Sequence, residues 1–404
     1  MDLEFIRNSA EEYFNYMVEA RRHIHANPEL SEMERGTQKY VRETLNKEGV
    51  YNIPMADTGV MAVVKGALPG NVVGLRADMD ALPVMEPGGS DYASTVPGVM
   101  HACGHDAHTA IQLGAARFFN TNRDKLPGTV KFFFQPAEET VGGAKRMMDE
   151  GCMDNPAVGY VLGLHVAGDL DYDQAEIRHG TLNASTNSIR ITVKGKSGHA
   201  AYPDRCVDPI VISAQMISAL QSIVSRNISP LDSAVFTIGK IYGGTKSNII
   251  AGEVVMEGTI RASNSGVRRV MIERIEAVSR GVAGSMGGAC EIEYLDGGYP
   301  PVINDTFTID TVKDAALEYL GTDKVIIGDR MSMGGEDFSF FSEKAKTAFY
   351  NIGCRVAGKA PYLAHTPEFE VDERCLKTGF AIQILSALKL LSIHPQSAGK
   401  EHIT

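Results

Sequence analysis

Residues 101–108 read His-Ala-Cys-Gly-His-Asp-Ala-His, a run dense in metal-binding side chains. Imidazole nitrogen and thiolate sulfur are strong ligands for borderline divalent metals. Cys103 and His105 stand two apart, so a turning backbone can aim both at one point. Two ligands do not complete a site, and this constrains the fold: distant parts of the chain must be brought to this loop. Gln-Pro-Ala-Glu-Glu at 135–139, Leu-His-Val at 164–166 and Ala-His-Thr-Pro at 364–367 offer the missing groups. The first two follow short apolar runs. Polar ligands at strand ends, between helical segments, fit an α/β sheet whose site lies along its carboxyl edge.

The hydrophobic pattern supports that architecture. Residues 9–24 and 33–47 have helical period. Val60–Val64, Val72–Leu75, Thr129–Phe134 and Val161–His165 read as short buried strands, and 108–120 as a helix after the ligand-rich loop. From about 186 to 296 the order changes. Strand Ser188–Val193, helix Asp208–Arg226 (opening after Asp204, with Pro209 near its start), strands Val235–Tyr242 and Ile249–Arg261, helix Val267–Val282 and strand Cys290–Tyr294 follow one another. That β-α-β-β-α-β order is the ferredoxin-like one. Helices at 306–320, 337–343 and 372–391 and a strand at 347–352 resume the α/β pattern, and a frayed tail is expected after Ser392. The expected fold is therefore two-domain α/β. A discontinuous mixed-sheet catalytic domain (1–185 and 297–404) carries an inserted ferredoxin-like α+β domain (186–296).

Composition narrows the function. A chain of 404 residues, 44% hydrophobic and 22% charged, has room for two or three domains. Its net charge of −11 and the lack of long basic runs argue against nucleic-acid binding. No apolar run approaches the roughly 18 residues of a membrane span. The acidic start Met1-Asp2-Leu3-Glu4 does not resemble a signal peptide. The six scattered cysteines suit reduced thiols, so a cytoplasmic location is expected. Cys152, Cys206, Cys290, Cys354 and Cys375 read as small buried hydrophobes.

The candidate ligands are Cys103, His105, Glu139, His165 and His365. They come from separated segments, unlike the close pairs of a zinc ribbon. Five ligands exceed what one tetrahedral ion with a water needs, whereas two ions sharing one bridging group use five. Such a pair of ions can activate water for hydrolysis. Of the adjacent Glu138 and Glu139, one would bind metal and the other would stand free to shuttle protons. Asp78 and Asp80 alternate onto one face of a strand end, where they could support the site, as could His101 and His108. His23, His25, His179, His394 and His402 read as structural or surface groups. Glu336-Asp337 reads as a charge pair at a helix start, with no catalytic step.

These motifs resemble the M20 metallopeptidase and amidohydrolase family, most of all its branch of aminoacylases, hippurate hydrolases and indole-acetyl-amino acid hydrolases. The matching stretches run nearly end to end. They are Arg-Arg-His-Ile-His-Ala-Asn-Pro-Glu-Leu (21–30), Arg-Ala-Asp-Met-Asp-Ala-Leu-Pro (76–83), Met-His-Ala-Cys-Gly-His-Asp-Ala-His-Thr (100–109), Gln-Pro-Ala-Glu-Glu (135–139), Gly-His-Ala-Ala-Tyr-Pro (198–203), Val-Asp-Pro-Ile (207–210), Gly-Glu-Asp-Phe (335–338) and His-Thr-Pro (365–367). The resemblance implies roles. Cys103 would bridge two divalent ions, with His105 and His165 on one and Glu139 and His365 on the other. Glu138 would be the general base, and Asp80 would steer a metal ligand. The 186–296 module would be a lid that also forms a homodimer contact, with higher oligomers compatible. His199 would stabilise the oxyanion from the partner subunit, and Asn248 and Arg261 would contact substrate. Pro203-Asp204 departs from the Pro-His of many relatives, which bears on the lid pocket rather than the chemistry. Zinc is the expected metal, with manganese an acceptable substitute. The expected substrate is a small N-acyl-L-amino acid. The rivals are a dipeptidase or aminobenzoyl-glutamate-type carboxypeptidase on the same scaffold and, more remotely, a non-catalytic metal-binding protein.

Overall fold

Residues 130–135, Val-Lys-Phe-Phe-Phe-Gln, are buried without a break. A strand that apolar must be covered on both faces, which is the condition of an inner strand in a parallel sheet. The computed structural model, which describes residues 1–295, 298–359, 361 and 363–393, shows that covering. Phe132 packs against Phe119 at 6.2 Å between ring centroids, while Phe133 stacks on Phe341 at 5.3 Å. Lys131, buried in the same run, is satisfied by donating to the carbonyls of Cys152 (3.0 Å) and Asp154 (2.6 Å).

The chain separates into two compact units. The first comprises Met1–Gly180, Ile303–Asp329 and Phe340–Thr404. Its mixed eight-stranded sheet runs in the order Tyr51–Met55, Gly59–Lys65, Pro127–Gln135, Leu68–Asp78, Tyr160–Asp171, Lys346–Arg355, Ala175–Ile177, Val325–Ile327. The four strands at its centre are mutually parallel. Helices Leu3–Ala26, His105–Thr121 and Cys375–Leu391 pack on one another and share the large apolar core with the sheet.

The second unit, Thr181–Val302 with Arg330–Ser339, holds an antiparallel sheet in the order Ala234–Gly243, Glu253–Ala262, Ser185–Lys194, Ala289–Tyr294. In chain order this is strand two, three, one, four, the ferredoxin-like arrangement. Strand Ser185–Lys194 alternates buried and half-buried positions along nearly its whole length. Ile189, Ile191 and Val193 thereby meet Met216, Leu220 and Ile275 of helices Pro209–Asn227 and Ser265–Ser285. Asp208 caps the first of these helices through the amides of Ile210 and Val211, with Pro209 in its first turn.

Several boundaries differ from expectation. The helix expected over Asp208–Arg226 runs Pro209–Asn227; its cap is Asp208, and the segment after Tyr202 that includes Asp204 forms a separate 3-10 turn, Pro203–Arg205. The strand expected to end at His165 continues to Asp171, because its outer part still pairs with Lys346–Arg355 across an irregularity in register. His165 therefore lies within a strand. Residues 337–343, expected as a helix, are 3-10. Strand Tyr51–Met55 was not expected, since Asn52 and Pro54 interrupt its apolar pattern; Pro54 is tolerated in a strand at the sheet's edge. From residue 394 onward the expected frayed tail, with His394 and His402, lies outside the described residues.

Candidate metal centre

All five candidate ligands fall in the first unit, and the fold brings their ligand atoms together. Cys103, His105 and His165 form one group and Cys103, Glu139 and His365 another, with ligand atoms in each within 4.8 Å of one another. Cys103 Sγ belongs to both. It lies 3.4 Å from His165 Nε2. His365 Nε2 lies 3.2 Å from Glu139 Oε1, and His105 Nε2 lies 4.0 Å from the same oxygen.

Local backbone explains how so short a loop presents two candidate ligands. Gly104 adopts φ +86°, open to glycine but costly for other residues, and a Cβ there would fall 2.3 Å from Val166 Cγ2. Helix His105–Thr121 starts immediately after it. The distant His365 is tied to this loop through its backbone, its N–H donating to the Ala102 carbonyl at 2.8 Å.

Hydrogen bonds separate the candidate ligands among the imidazoles from their supports. His105 Nδ1–H donates to Asp80 Oδ1 (3.2 Å), which leaves Nε2 as the lone-pair nitrogen. His165 Nδ1–H donates to the Val166 carbonyl (2.7 Å) with the same consequence. His108 also falls in a possible metal group, with Asp78 and His105. Its nitrogens, however, are both spent: Nδ1–H donates to Asp78 Oδ1 (2.6 Å) and Nε2 accepts from Val166 N (2.9 Å). His108 is thus a brace, and burial holds its pKa down at about 4. His101 is fully buried with neither nitrogen hydrogen-bonded, and it joins no ligand group.

Two observations fit a cation among these groups. His105 Nε2 and Glu139 Oε1 are buried without a hydrogen bond, and the oxygen's near neighbour is the ion-pair partner His365 Nε2. The charges are also those of a site whose imidazoles hold protons where a metal would compete. Burial raises the Cys103 thiol, but His165 and His105 outweigh it and bring the group down to about 7. Burial opposes protonation of His165, yet Cys103 lifts it to about 9; the neighbouring Cys103 and Glu139 lift His365 to about 10. Against burial, Glu139 and Asp80 are held below the usual carboxylate range by His365 and His105 respectively.

Glu138 is buried, and its carboxylate joins His105 and Glu139 in a further group of potential ligands. Asp80 reaches both sides of the centre. Its Oδ1 orients His105, while Oδ2 accepts from the Glu139 amide (3.0 Å) and from Ser31 Oγ (2.7 Å). His199, Asn248 and Arg261 belong to the second unit. His199 is exposed and pairs with Ile249, and Ala200 N donates to the Asn248 carbonyl at 3.1 Å, so His199 and Asn248 lie together. Nδ1 of His199 accepts from Ala201 N (3.1 Å), which leaves Nε2 as a hydrogen-bond donor. Arg261 sits elsewhere, beside Gly335, where an added Cβ would come 3.1 Å from its guanidinium.

Reading the sequence missed an ion cluster behind the loop. Arg21 Nε (3.0 Å) and His25 Nδ1 (2.8 Å) both donate to Asp106 Oδ2, all three side chains buried. The spacing of Arg21 and His25 on one helix face was its available signal. Burial would lower His25, but Asp106 and Glu86 raise it to about 9. A folded-state pKa above the unfolded one stabilises fully below the unfolded value and is lost as pH rises through the folded value. Native protein should therefore lose on the order of 2–3 kcal/mol more stability than His25→Gln between pH 6.5 and about 9. Denaturant titrations of both proteins across that window measure it; parallel curves would remove His25 from the account.

The profile of peptidase family M20/M25/M40 matches residues 74–388. The chain belongs to peptidase family M20. This M20 chain is 37% identical over 398 residues to a Saccharolobus solfataricus protein named thermostable carboxypeptidase 2, covering 96% of this chain and 99% of that one. It is 39% identical over 362 residues to the N-acetylcysteine deacetylase of Bacillus subtilis, covering 89% and 93%. It also matches the crystal structure of the Bacillus subtilis YXEP protein, described as a dinuclear metal binding peptidase from the M20 family. That match has a TM-score of 0.82 at 33% identity, covering 94% of this chain and 99% of that one. The M20 chain is accordingly a metal-dependent hydrolase of amide or peptide bonds, which sets aside the non-catalytic reading. Among the described residues no helix is long and apolar enough to cross a membrane.

Proposed function

We propose that this M20 enzyme cleaves the amide bond of N-acyl-L-amino acids, releasing an amino acid and a carboxylic acid, with two divalent ions per chain. The observation that carries the reading is the pair of ligand groups sharing Cys103 Sγ, with Glu138 beside Glu139. His105 and His165 would hold one ion, Glu139 and His365 the other. Zinc suits the thiolate and imidazoles, and manganese is the alternative for a carboxylate-containing set. When bound, the ions supply Lewis acidity that makes water a nucleophile at neutral pH and polarises the substrate carbonyl. Glu138 takes the proton of the attacking water and returns it to the leaving nitrogen. Asp80 keeps His105 in the tautomer that presents Nε2. The relative named N-acetylcysteine deacetylase supports the substrate class. The relative named a carboxypeptidase favours a second reading, cleavage of a peptide at its C-terminal residue. A hydrolysis screen of N-acetyl, N-benzoyl and indole-acetyl amino acids against dipeptides, on protein loaded with each metal, separates them. Turnover of dipeptides alone would replace the first reading by the second.

In the same reading, the second unit is a lid through which a cytoplasmic homodimer forms, and Asn248 and Arg261 contact substrate. His199 reaches the partner's active site and stabilises the oxyanion through its Nε2 donor, a role commonly worth about 10²–10³ in rate. Mixing two nearly inactive variants, His199→Ala and Glu138→Gln, should then restore a substantial fraction of native activity. One site of each mixed dimer would combine an intact Glu138 with the partner's intact histidine. If mixed dimers form and stay inactive, His199 does not act across subunits.

A further inference from the structure

Glu34 is a fully buried carboxylate with no part in the ligand set. It stands at the N-cap of helix Arg35–Lys47, where a carboxylate ordinarily turns onto the helix's first amides. Glu34 makes no such bond. Glu29 does that work, accepting from Gly36 N (2.9 Å), Thr37 N (2.7 Å) and Thr37 Oγ1 (3.0 Å). Glu34 is thereby released to reach across the fold. Its Oε2 accepts from Thr58 Oγ1 (2.6 Å), and its Oε1 accepts from the backbone N–H of Ala137 (2.8 Å).

Ala137 is the turn on which the hydrolytic carboxylates hang. It directly precedes Glu138 and Glu139 and has φ +55°, a left-handed conformation that costs an alanine about 1 kcal/mol or more. Such a residue keeps its conformation only where its surroundings impose it. Here the loop is gripped from several directions. Gly142 N donates to the Ala137 carbonyl (2.9 Å), and Gly143 lies so close that a Cβ would come 1.9 Å from the Pro136 carbonyl oxygen. The Glu139 amide donates to Asp80. Glu34 and Asp80, from different parts of the chain, thus hold the amides of residues 137 and 139, with Glu138 between them.

We propose that Glu34 is a positioning residue of the hydrolytic site: it fixes the left-handed turn at Ala137 and so aims Glu138 and Glu139. The inference rests on the roles given to those two carboxylates above. Three variants separate positioning from a general contribution to folding. Glu34→Leu removes the acceptor. Glu34→Gln keeps an amide oxygen for the Ala137 N–H and can donate to the Thr58 hydroxyl. Thr58→Val strips a neighbouring buried hydrogen bond without touching Ala137.

In Glu34→Leu, hydrogen exchange of a peptide spanning 136–142 should quicken by about tenfold or more relative to the rest of the chain, and zinc should leave at lower chelator concentration. Its kcat should fall by about 10–100-fold with KM within about threefold of native, the signature of misplaced catalytic groups. Glu34→Gln should stay near native in all three readouts. Thr58→Val should lose Tm while keeping kcat. If Glu34→Leu does not fold, Glu34→Asp carries the test, since it keeps the charge but falls one methylene short of Ala137. Slow exchange and native zinc retention in that variant would overturn the proposal, as would equal impairment of the Gln and Leu variants. So would a kcat loss in Thr58→Val matching that of Glu34→Leu at the same loss of Tm. Should the native protein hydrolyse neither N-acyl-amino acids nor dipeptides, the proposed substrate fails, while exchange and zinc retention still decide the role of Glu34.

Discussion

Glu138→Gln is expected to lower kcat by about 10²–10⁴ while metal content stays near native. The amide keeps the size of the side chain and much of its hydrogen bonding, but it cannot accept a proton. In the proposed role, only the transfer from water to the leaving nitrogen is removed. Glu139→Gln should behave differently. Its carboxylate faces both His365 and His105, and Oε1 is buried without a hydrogen bond, so the variant loses the anionic group a cation needs there. Steady-state kinetics with elemental analysis of both variants distinguishes base from ligand. An active Glu138→Gln beside a Glu139→Gln that retains its metal would reverse the two assignments.

Cys103→Ser should cost most of the bound metal and nearly all activity. One sulfur is shared by both ligand groups, so its loss weakens both. A serine hydroxyl is a poor substitute, because it remains protonated where the thiol, held at about 7, is readily a thiolate. Native protein should carry close to two divalent ions per chain by elemental analysis, and the variant far fewer. Full metal content in Cys103→Ser, or none in freshly purified native protein, would rule out the bridging role.

The inner strands and the convergence of the candidate ligands were legible in the sequence for a common reason. Inner parallel strands such as Pro127–Gln135 are covered on both faces and read as largely apolar runs, here Phe132–Phe134, so paired carboxylates just after one, like Glu138 and Glu139, stand out. The ferredoxin-like order was readable because strands such as Ser185–Lys194 alternate buried residues such as Ile189, Ile191 and Val193 with half-buried polar ones. What could not be read depends on contacts distant in sequence. Asp106 is held by Arg21 and His25 from another helix, and Ala137 by Glu34. Neither partner differs in type from an ordinary surface charge until the fold buries it. The reach of strand Tyr160–Asp171 past His165 was hidden likewise, since its polar outer half is kept in the sheet by pairing with Lys346–Arg355.

That last pairing bears on how the protein is made. Strand Lys346–Arg355 sits inside the large sheet, between Tyr160–Asp171 and Ala175–Ile177. A ribosome delivers it long after both neighbours. Until then Tyr160–Asp171 has an open edge, the kind of surface that pairs with other chains. His365 emerges later still, so a nascent chain can offer Cys103, His105, Glu139 and His165 to a metal before the last of the proposed ligands exists. Ribosome stalling or truncation before residue 346 should consequently yield aggregation-prone, under-metallated product, and the final stretch of translation then both seals the sheet and supplies the last group of the proposed metal centre.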